Sequence, residues 1–562
     1  MKDLNHFADL MITEAKIYTA NPKEPWADTV AIKGDRFLYV GNREDGQWQH
    51  YAGPDTKVTA LSGQMVIPGM IDGHTHPEAV AKSSWSVRLP ETDDLVELMA
   101  FVKKYCEEHS VDEVPYFFGV SYPSTMFGTD GPKKELLDRY ISDRPARLQD
   151  FSDHSCWYNS KALELMEIEK GKPDPEWRTT FERDKDGEPT GWAKEPSPVG
   201  DYEKTMFQKI GWFPPEEITE EMVTPFLNFL NKKGIVAILD GITEEESSIK
   251  VYHEMDLAGK LNMYYEGTCL LTDYQILDTC IRTLRDWQAK YTSRHIKVNT
   301  IKYFLDGTNE IGTCAVLEPF SNDPEGKNCG TLNMSEEELT KVILRLNQEG
   351  IDLHIHLVGD RAFRTACNAY EKARKTYMGE WSIYLQLAHC ELADPKDILR
   401  AAELGIFINW STHWSGGFFG EAAKEWLGEE RFNRMYDFTK FLEAGGIVTY
   451  GSDVTGQSEA HRADPFFGME CAHTRIDPEY PLDSGVRLPE SAKLPLDELI
   501  RGYTLRGAIP LRMEDKLGSI ETGKLANLSV LNKNLFETPP FEIHTIMPTA
   551  VVFEGRIIFG EL

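Results

Sequence analysis

Between residues 65 and 452 the chain alternates short apolar runs with segments of helical periodicity. The runs are apolar on both faces, which is typical of strands in a parallel sheet covered by helices. Eight such runs follow one another, at 65–71, 235–240, 263–271, 298–305, 352–358, 384–389, 406–410 and 447–452. Helical periodicity is clearest at 335–348, 361–377, 396–404 and 438–444. Eight strands alternating with helices predict a (β/α)₈ TIM barrel of the α/β class.

The two ends of the chain show a different pattern, in which apolar and polar residues alternate over short distances. This alternation occurs at 9–20, 29–40, 528–531 and 550–559. Turn signals at Gly34 and Gly555 divide two of these segments into hairpins. We therefore expect residues 1–64 and 515–562 to form one small β-sandwich domain, and residues 65–514 to form the barrel.

The interval between the first and second predicted strands is far longer than an ordinary βα connection. It has its own mixed pattern and contains many aromatic residues and prolines. We expect residues from about 77 to about 224 to form an inserted subdomain beside the rim at which the barrel strands end.

Composition and charge narrow the class of protein. The net charge of −31 over 562 residues argues against nucleic acid or an anionic membrane as a partner. Nine cysteines without a Cys-x-x-Cys pair fit the reduced thiols of a cytosolic protein. Neither a secretory signal nor a membrane-spanning apolar run is visible in the sequence. We expect a soluble cytoplasmic protein that acts on a small molecule, with a homodimer as the commonest oligomeric state.

Candidate chemistry begins at the end of the first predicted strand, in His74-Thr-His76. Alternate residues of an extended strand project to the same face, so two imidazoles here suit one divalent cation. A single His-x-His pair is more often a pair of polar residues at a strand end. Polar residues also end several later strands, namely Lys302, His356, His389 and Asp453. Because barrel active sites lie at this rim, a shared metal centre is the more economical explanation.

These residues stand in ordered segments that cover nearly the whole chain. The segments are Val66-Ile-Pro-Gly-Met-Ile-Asp-Gly-His-Thr-His76, Ile301-Lys-Tyr-Phe-Leu-Asp-Gly307, His356-Leu-Val-Gly-Asp-Arg-Ala362, Leu387-Ala-His-Cys-Glu391, Gly451-Ser-Asp453, Leu517-Gly-Ser-Ile-Glu-Thr-Gly-Lys-Leu-Ala526 and, in the insertion, Asp153-His-Ser-Cys-Trp-Tyr-Asn-Ser-Lys-Ala-Leu163 and Pro189-Thr-Gly191. Together they resemble the amidohydrolase superfamily, in the amidohydrolase-3 branch of N-substituted formamide deformylases and YtcJ-like proteins. The resemblance implies a metal-dependent hydrolase that cleaves an amide or formamide C–N bond with metal-activated hydroxide.

The same resemblance implies a centre of one or two Zn²⁺ ions. One ion would be bound by His74, His76 and Asp453, and a second by His356, His389 and the bridging N-carboxylate of Lys302. A lysine ammonium has no lone pair and cannot bind a metal, whereas carboxylation by CO₂ would convert Lys302 into an anionic oxygen ligand able to bridge two cations. Alternatively, its ammonium pairs with Asp306 or another carboxylate. A site of imidazoles and carboxylates would also accept Mn²⁺, Fe²⁺, Co²⁺ or Ni²⁺.

Three residues are candidates for catalysis. Asp453 is expected to accept the proton of the attacking water and to deliver it to the leaving nitrogen. His154, in the insertion, is the candidate donor to the oxyanion, with a packing role as the alternative. His413, after the seventh predicted strand, is a second candidate at the rim. His354 stands one strand period before His356, and we expect it to lie deeper, in the barrel core.

Contacts with the substrate are expected from Trp157, Asp360, Arg361 and Trp414. The two tryptophans favour a hydrophobic substituent on the scissile amide, although aromatic residues at a rim also serve packing. Asp360 and Arg361 follow the strand of His356, and they either touch the substrate or orient their loop by an ion pair.

Two other functions remain open at the level of the sequence. The first is a deaminase of a ring amidine, which needs a single metal and no lysine ligand. Lys302 distinguishes the two enzymes, because a carboxylated lysine and two metals favour the hydrolase. The second is a non-catalytic, amidohydrolase-like assembly protein, which would be expected to lose metal ligands.

Overall fold

The computed structural model describes residues 7–174, 178–196, 201–215, 217–417, 420–480 and 485–562. Its centre is a parallel sheet of eight strands, β1 Met70–Thr75, β2 Ile235–Asp240, β3 Tyr264–Leu270, β4 Ile296–Phe304, β5 Asp352–Leu357, β6 Leu385–His389, β7 Phe407–Trp410 and β8 Val448–Tyr450. Each strand pairs with the next along the chain. β8 also lies against β1, so the sheet closes on itself. The predicted eight-stranded barrel is confirmed.

Helices cover the outside of this sheet. Those between or after the barrel strands are Glu220–Lys232, Glu246–Leu257, Leu277–Tyr291, Glu336–Glu349, Asp360–Thr376, Pro395–Leu404, Ala423–Phe432, Thr439–Glu443, Pro465–Thr474, Leu496–Gly502 and Leu505–Ala508. The ends of the helix Glu336–Glu349 are fixed by local sequence signals. A capping box of Ser335 and Glu338 begins this helix, and Gly350, with φ +66°, ends it. Within the described part of the chain, no helix has both the length and the apolarity needed to cross a membrane.

The predicted first strand, 65–71, proves to be two strands in different sheets. Met65–Pro68 pairs with Lys16–Tyr18 and Leu528–Leu531 outside the barrel, whereas β1 begins at Met70. A Cβ on the intervening Gly69 would lie 2.5 Å from the side chain of Val236, so only glycine fits the crossing. Both strands are buried on both faces, and their apolar residues therefore form one continuous run in the sequence.

Both ends of the chain build a β-sandwich, as predicted. The first sheet contains Arg36–Gly41, Thr29–Lys33, Leu10–Thr13 and Lys57–Ala60. The second contains Arg556–Gly560, Pro548–Phe553, Leu528–Leu531, Met65–Pro68, Lys16–Tyr18 and Trp26–Ala27. Ile12 and Val30 of the first sheet share one buried core with Val66, Leu528 and Val552 of the second. This shared core is what holds the two sheets together.

The insertion after β1 is a mixed sheet with short helices. Its strands are Val87–Arg88, Phe117–Tyr122, Ala146–Asp150, Ser155–Tyr158, Thr180–Arg183 and Pro189–Lys194, and its helices are Pro77–Lys82, Leu95–Glu108, Lys134–Asp138, Ser160–Leu165 and Asp201–Ile210. It meets the segment after β8 through the hydroxyls of Ser121 and Ser458, 3.0 Å apart, and through Asp153 and Thr455. The insertion therefore stands over the carboxyl ends of the barrel strands.

At the opposite end of the barrel, His295 joins the barrel to the sandwich. Its Nδ1 bonds to Asp256, and its Nε2 lies 3.2 Å from Oε1 of Glu554 in the sandwich. Burial favours neutral His295, but Glu554 and Asp256 outweigh it and raise its pKa. Burial likewise opposes ionisation of Glu554, but bonds from His295, Tyr264 and Arg294 lower its pKa to about 2.

This junction predicts a loss of stability at alkaline pH. The pKa of folded His295 lies above the unfolded value of about 6.5, so its contribution is complete below that pH and disappears as pH rises through the folded pKa. Glu554 also stabilises the fold, but with the opposite dependence on pH: its contribution is complete above about pH 4 and is lost as pH falls towards about 2. We expect the wild-type Tm to fall more steeply than that of His295→Asn as pH rises above about 6.5. Parallel slopes in calorimetric scans would contradict this.

Candidate metal centre

Three imidazoles surround the carboxylate of Asp453, which follows β8. Its Oδ1 lies 2.9 Å from Nε2 of His76 and 3.2 Å from Nε2 of His74. Its Oδ2 lies 3.4 Å from Nδ1 of His389, at the end of β6. Potential ligand atoms of His74, His389 and Asp453 all lie within 4.8 Å of one another. Strands that are distant in sequence thus bring one compact donor set to the carboxyl-terminal rim.

The charge state of these groups suits a divalent cation. Burial holds the pKa values of His74 and His389 well below the ordinary range, so both imidazoles keep a lone pair. Burial opposes ionisation of Asp453, but hydrogen bonding from imidazole N–H, as from Nε2 of His76 at 2.9 Å, outweighs it and holds its pKa well below the usual value. An ionised carboxylate among neutral imidazoles is the donor set that Zn²⁺ and similar ions require. The residues present therefore fit the metal that the fold implies.

The backbone around the centre is strained and held in place. His389, Cys390 and Asp453 have φ of +73°, +48° and +54°, a region that residues other than glycine rarely adopt. Asp72 fixes the junction of β1 and β8, because its Oδ1 accepts the amides of His74 at 3.2 Å and Ser452 at 2.9 Å. Such strain persists where the surrounding structure enforces it, as at functional sites.

Lys302, in β4, borders the same centre. Its side chain is buried, its Nζ lies 3.3 Å from Nε2 of His74, and burial lowers its pKa to about 7. Lys302 does not pair with Asp306, which was one possible partner for its ammonium. The oxygens of Asp306 accept the amides of Ala315, Val358 and Gly359, each at 2.9 Å, and so tie two loops together.

His356 borders this donor set without being part of its tightest cluster. Its Nε2 lies 3.1 Å from the carbonyl oxygen of Gly307, and since a carbonyl only accepts, Nε2 carries the proton. Its ring centroid is 4.5 Å from that of His389 and 5.4 Å from that of His154. His356 is thus outside the tightest donor set of His74, His389 and Asp453, although its ring adjoins that of His389. A second ion bound by His356, His389 and carboxylated Lys302 stays a prediction.

The centre lies at the floor of a cavity of about 1010 Å³ between the barrel rim and the insertion. His74, His76, Lys302, His356, His389, Asp453, His154 and Trp414 all line it. Trp414 stacks on His389, with ring centroids 5.3 Å apart and planes 25° apart. Phe118, Phe151 and Phe304 add apolar wall. The cavity therefore offers an apolar surface directly beside the donor set.

His154 enters this cavity as half of a dyad with Glu195. Its Nδ1 lies 2.8 Å from Oε2 of Glu195. The same Oε2 pairs with Arg178, and Oε1 of Glu195 accepts from the Thr313 hydroxyl. Burial lowers the pKa of His154, but Glu195 outweighs it and raises that pKa; the pKa of Glu195 itself is well below the ordinary range. Glu195 and Arg178 were not predicted, because both stand in irregular turns with φ of +52° and +69°.

Two predicted site residues lie outside the cavity lining. Trp157 is fully buried in the core of the insertion, 4.9 Å from the ring of Phe127, and its Nε1 donates to the carbonyl of Lys133. His413 is buried in the turn after β7, with its ring 5.9 Å from that of Trp414. Trp157 therefore serves packing within the insertion, and of the two predicted tryptophans Trp414 is the one that lines the cavity.

Asp360 and Arg361 also lie outside the cavity lining. Their side chains bond to backbone groups of a loop and not to one another. Oδ1 of Asp360 accepts the amide of Leu317 at 2.8 Å. The guanidinium of Arg361 donates to the carbonyls of Cys329 at 3.0 Å and Gly330 at 2.9 Å. These bonds fasten the loop after β4 to the helix after β5. The predicted ion pair between the two side chains is replaced by contacts with this loop.

Comparisons with known proteins agree with this architecture. The model of the amidohydrolase family matches residues 57–559. N-substituted formamide deformylase of Arthrobacter pascens is 25% identical over 564 residues, covering 98% of each chain. The putative amidohydrolase YtcJ of Bacillus subtilis is 25% identical over 524 residues, covering 91% of this chain and 92% of its own. An uncharacterized metal-dependent hydrolase from Pyrococcus horikoshii has a TM-score of 0.67 at 19% identity, covering 94% and 99%. The resemblance in the motifs is confirmed, and the chain belongs to the amidohydrolase family of metal-dependent hydrolases.

Proposed function

We propose that this protein hydrolyses the C–N bond of a small amide or N-substituted formamide. The observation that carries the proposal is the Asp453 carboxylate among His74, His76 and His389 at the floor of a large cavity. The formamide deformylase relative, similar over nearly its whole length, supports this bond type. Trp414 and the phenylalanines of the wall favour a hydrophobic substituent on the amide.

The residues divide the reaction between them. A divalent cation held by His74, His76, His389 and Asp453 would supply Lewis acidity, which polarises a carbonyl and brings the pKa of water towards about 7. Asp453 is placed to take the proton of the attacking water at a carboxylate oxygen and to return it to the leaving nitrogen. His154 faces the same cavity and donates to the oxyanion that develops on the carbonyl.

Glu195 determines which ring nitrogen of His154 donates to the oxyanion. The bond from Nδ1 to Glu195 fixes a proton on Nδ1 and holds the ring against the wall beside Arg178. The raised pKa of His154 favours a second proton, on Nε2, which would make the ring a charged donor at the cavity. A charged donor is worth more than a neutral one where charge develops.

Removing this carboxylate charge is expected to slow turnover. Glu195→Gln should lower kcat by about 10- to 100-fold with little change in KM, because the donor acts mainly on the transition state. His154→Gln should have a similar effect, and combining both substitutions should add little. Steady-state kinetics of the two variants and the double variant measure this. Additive losses would contradict a shared role.

Metal analysis and a substrate screen test the function itself. Purified protein should contain a transition-metal ion and release formate and amine from N-substituted formamides, or amine and acid from N-acyl amino acids. N-alkylformamides with and without an aromatic ring form a matched pair for the apolar wall. Protein without metal or hydrolysis would instead support the non-catalytic assembly role.

A deaminase of a ring amidine is the second candidate, because the compact set of His74, His389 and Asp453 suits one cation. One metal per chain, an unmodified Lys302 and release of ammonia from cyclic amidines would support it. Two metals and a ¹³C-carbonate label on Lys302 would support the hydrolase with a carboxylated lysine. Metal counting and ¹³C spectra of the labelled protein separate these outcomes.

A further inference from the structure

A row of buried polar side chains runs through the barrel interior beneath the metal centre. We call it the interior relay: His74, His354, Gln386, Thr449 and Asn409, from β1, β5, β6, β8 and β7. None is more than 5% exposed. Nδ1 of His74 lies 2.8 Å from Nε2 of His354, whose Nδ1 lies 2.7 Å from Oε1 of Gln386. Nε2 of Gln386 lies 3.0 Å from the hydroxyl of Thr449.

The donor and acceptor of each bond in the relay can be assigned by starting at Thr449, the end away from His74. The Thr449 hydroxyl receives N–H groups from Gln386 and from Asn409, the latter at 2.9 Å. It donates its single proton to the carbonyl of Ile408, 3.4 Å away. With its amide nitrogen committed to Thr449, Gln386 presents its oxygen to His354. That oxygen only accepts, so Nδ1 of His354 carries a proton.

The two histidines then have one consistent arrangement. His354 is fully buried, and its two ring nitrogens bond to Gln386 and His74, neither of which is a carboxylate. With its proton on Nδ1 the ring is therefore neutral, and its Nε2 is an acceptor. Nδ1 of His74 must therefore donate to it. This leaves the lone pair of His74 on Nε2, the nitrogen that faces Asp453 Oδ1 at 3.2 Å and Lys302 Nζ at 3.3 Å.

We propose that the interior relay is a positioning device that holds His74 as its Nδ1–H tautomer and so aims the Nε2 lone pair at the cation. His354 is then a positioning residue rather than core filling. This inference rests on the metal centre of the proposed function. Partners of the second imidazole nitrogen of a metal-bound histidine fix its tautomer and typically change metal affinity by about 10- to 100-fold.

Two substitutions of nearly equal shape separate positioning from packing. His354→Gln places an amide oxygen close to the former Nε2, where it can still accept from His74, whereas His354→Met fills similar space without an acceptor. We expect His354→Met to weaken Zn²⁺ binding about 10- to 100-fold and His354→Gln to stay within about threefold of wild type. Competition with a chromophoric chelator measures the affinities. Equal losses in both variants would overturn the proposal.

A second measurement needs no cation and observes the tautomer of His74 in the wild-type protein. In metal-free wild-type protein labelled with ¹⁵N in its imidazoles, the His74 signals, assigned by their absence from His74→Asn, should show the proton on Nδ1. A proton on Nε2 would overturn the relay even if Zn²⁺ binds. Protein that binds no Zn²⁺ would refute the proposed function, while the tautomer would still decide the inference.

Discussion

Asp453→Asn is expected to lose about 10⁴-fold in kcat, at the top of the range for a general acid or base. The amide cannot accept the proton of water, and it also removes the one negative charge between His74, His76 and His389. The variant should fold, because asparagine has nearly the shape of aspartate. The backbone N–H of residue 453 would still donate to the backbone carbonyl of His74, a bond of 2.7 Å in the wild type. Steady-state kinetics on the best substrate of the screen measure the loss.

The matched control for this variant is Asp55→Asn, at an exposed position of the sandwich. It changes the net charge equally and should leave kcat at the wild-type value. Tm values of both variants, measured without added metal, check that the fold is intact. Turnover of Asp453→Asn within tenfold of wild type would exclude Asp453 as the proton carrier.

Removal of the cation is the second large effect that we expect. Dialysis against a chelator should reduce hydrolysis to background, and Zn²⁺ or Co²⁺ should restore it. Because the donors come from strands distant in sequence, the cation binds the folded chain only, and at 1,000 times its Kd it should add about 4 kcal/mol to the free energy of unfolding.

The control for cation removal is the same titration on Asp453→Asn, which should gain far less stability. Thermal unfolding with and without metal reads this directly. Full activity after exhaustive chelation, with no metal left by elemental analysis, would contradict a metal-dependent reaction for this protein.

The barrel could be predicted because its signals are local and repeated. Each buried strand is a short run that is apolar on both faces, and the rim of a barrel gathers whatever polar residues end those strands. His74, His389 and Asp453 were located in this way, and the structure brings their donor atoms within 4.8 Å of one another. Strand periodicity also indicated that His354 lies deeper than His356.

The site residues that were predicted wrongly or missed share a physical cause. The sequence of a chain does not show which tertiary contacts a given side chain makes. Trp157 is as aromatic as Trp414, but only Trp414 reaches the cavity. Asp360 could have met Arg361, and instead it accepts a backbone amide of a loop from β4. Glu195 lies in an irregular turn without periodicity, and its contact with His154 joins residues 41 positions apart.

The crossing at Gly69 also constrains how a newly made chain can mature. The strand Met65–Pro68 pairs with Lys16–Tyr18 on one side and with Leu528–Leu531 on the other. Strand β1 follows it and carries His74, the first histidine of the metal centre. A ribosome that has finished the barrel still has not made the second partner of this strand. Synthesis must pass residue 531 before the strand that precedes His74 has both of its neighbours, so we expect metal to bind late in synthesis or after it.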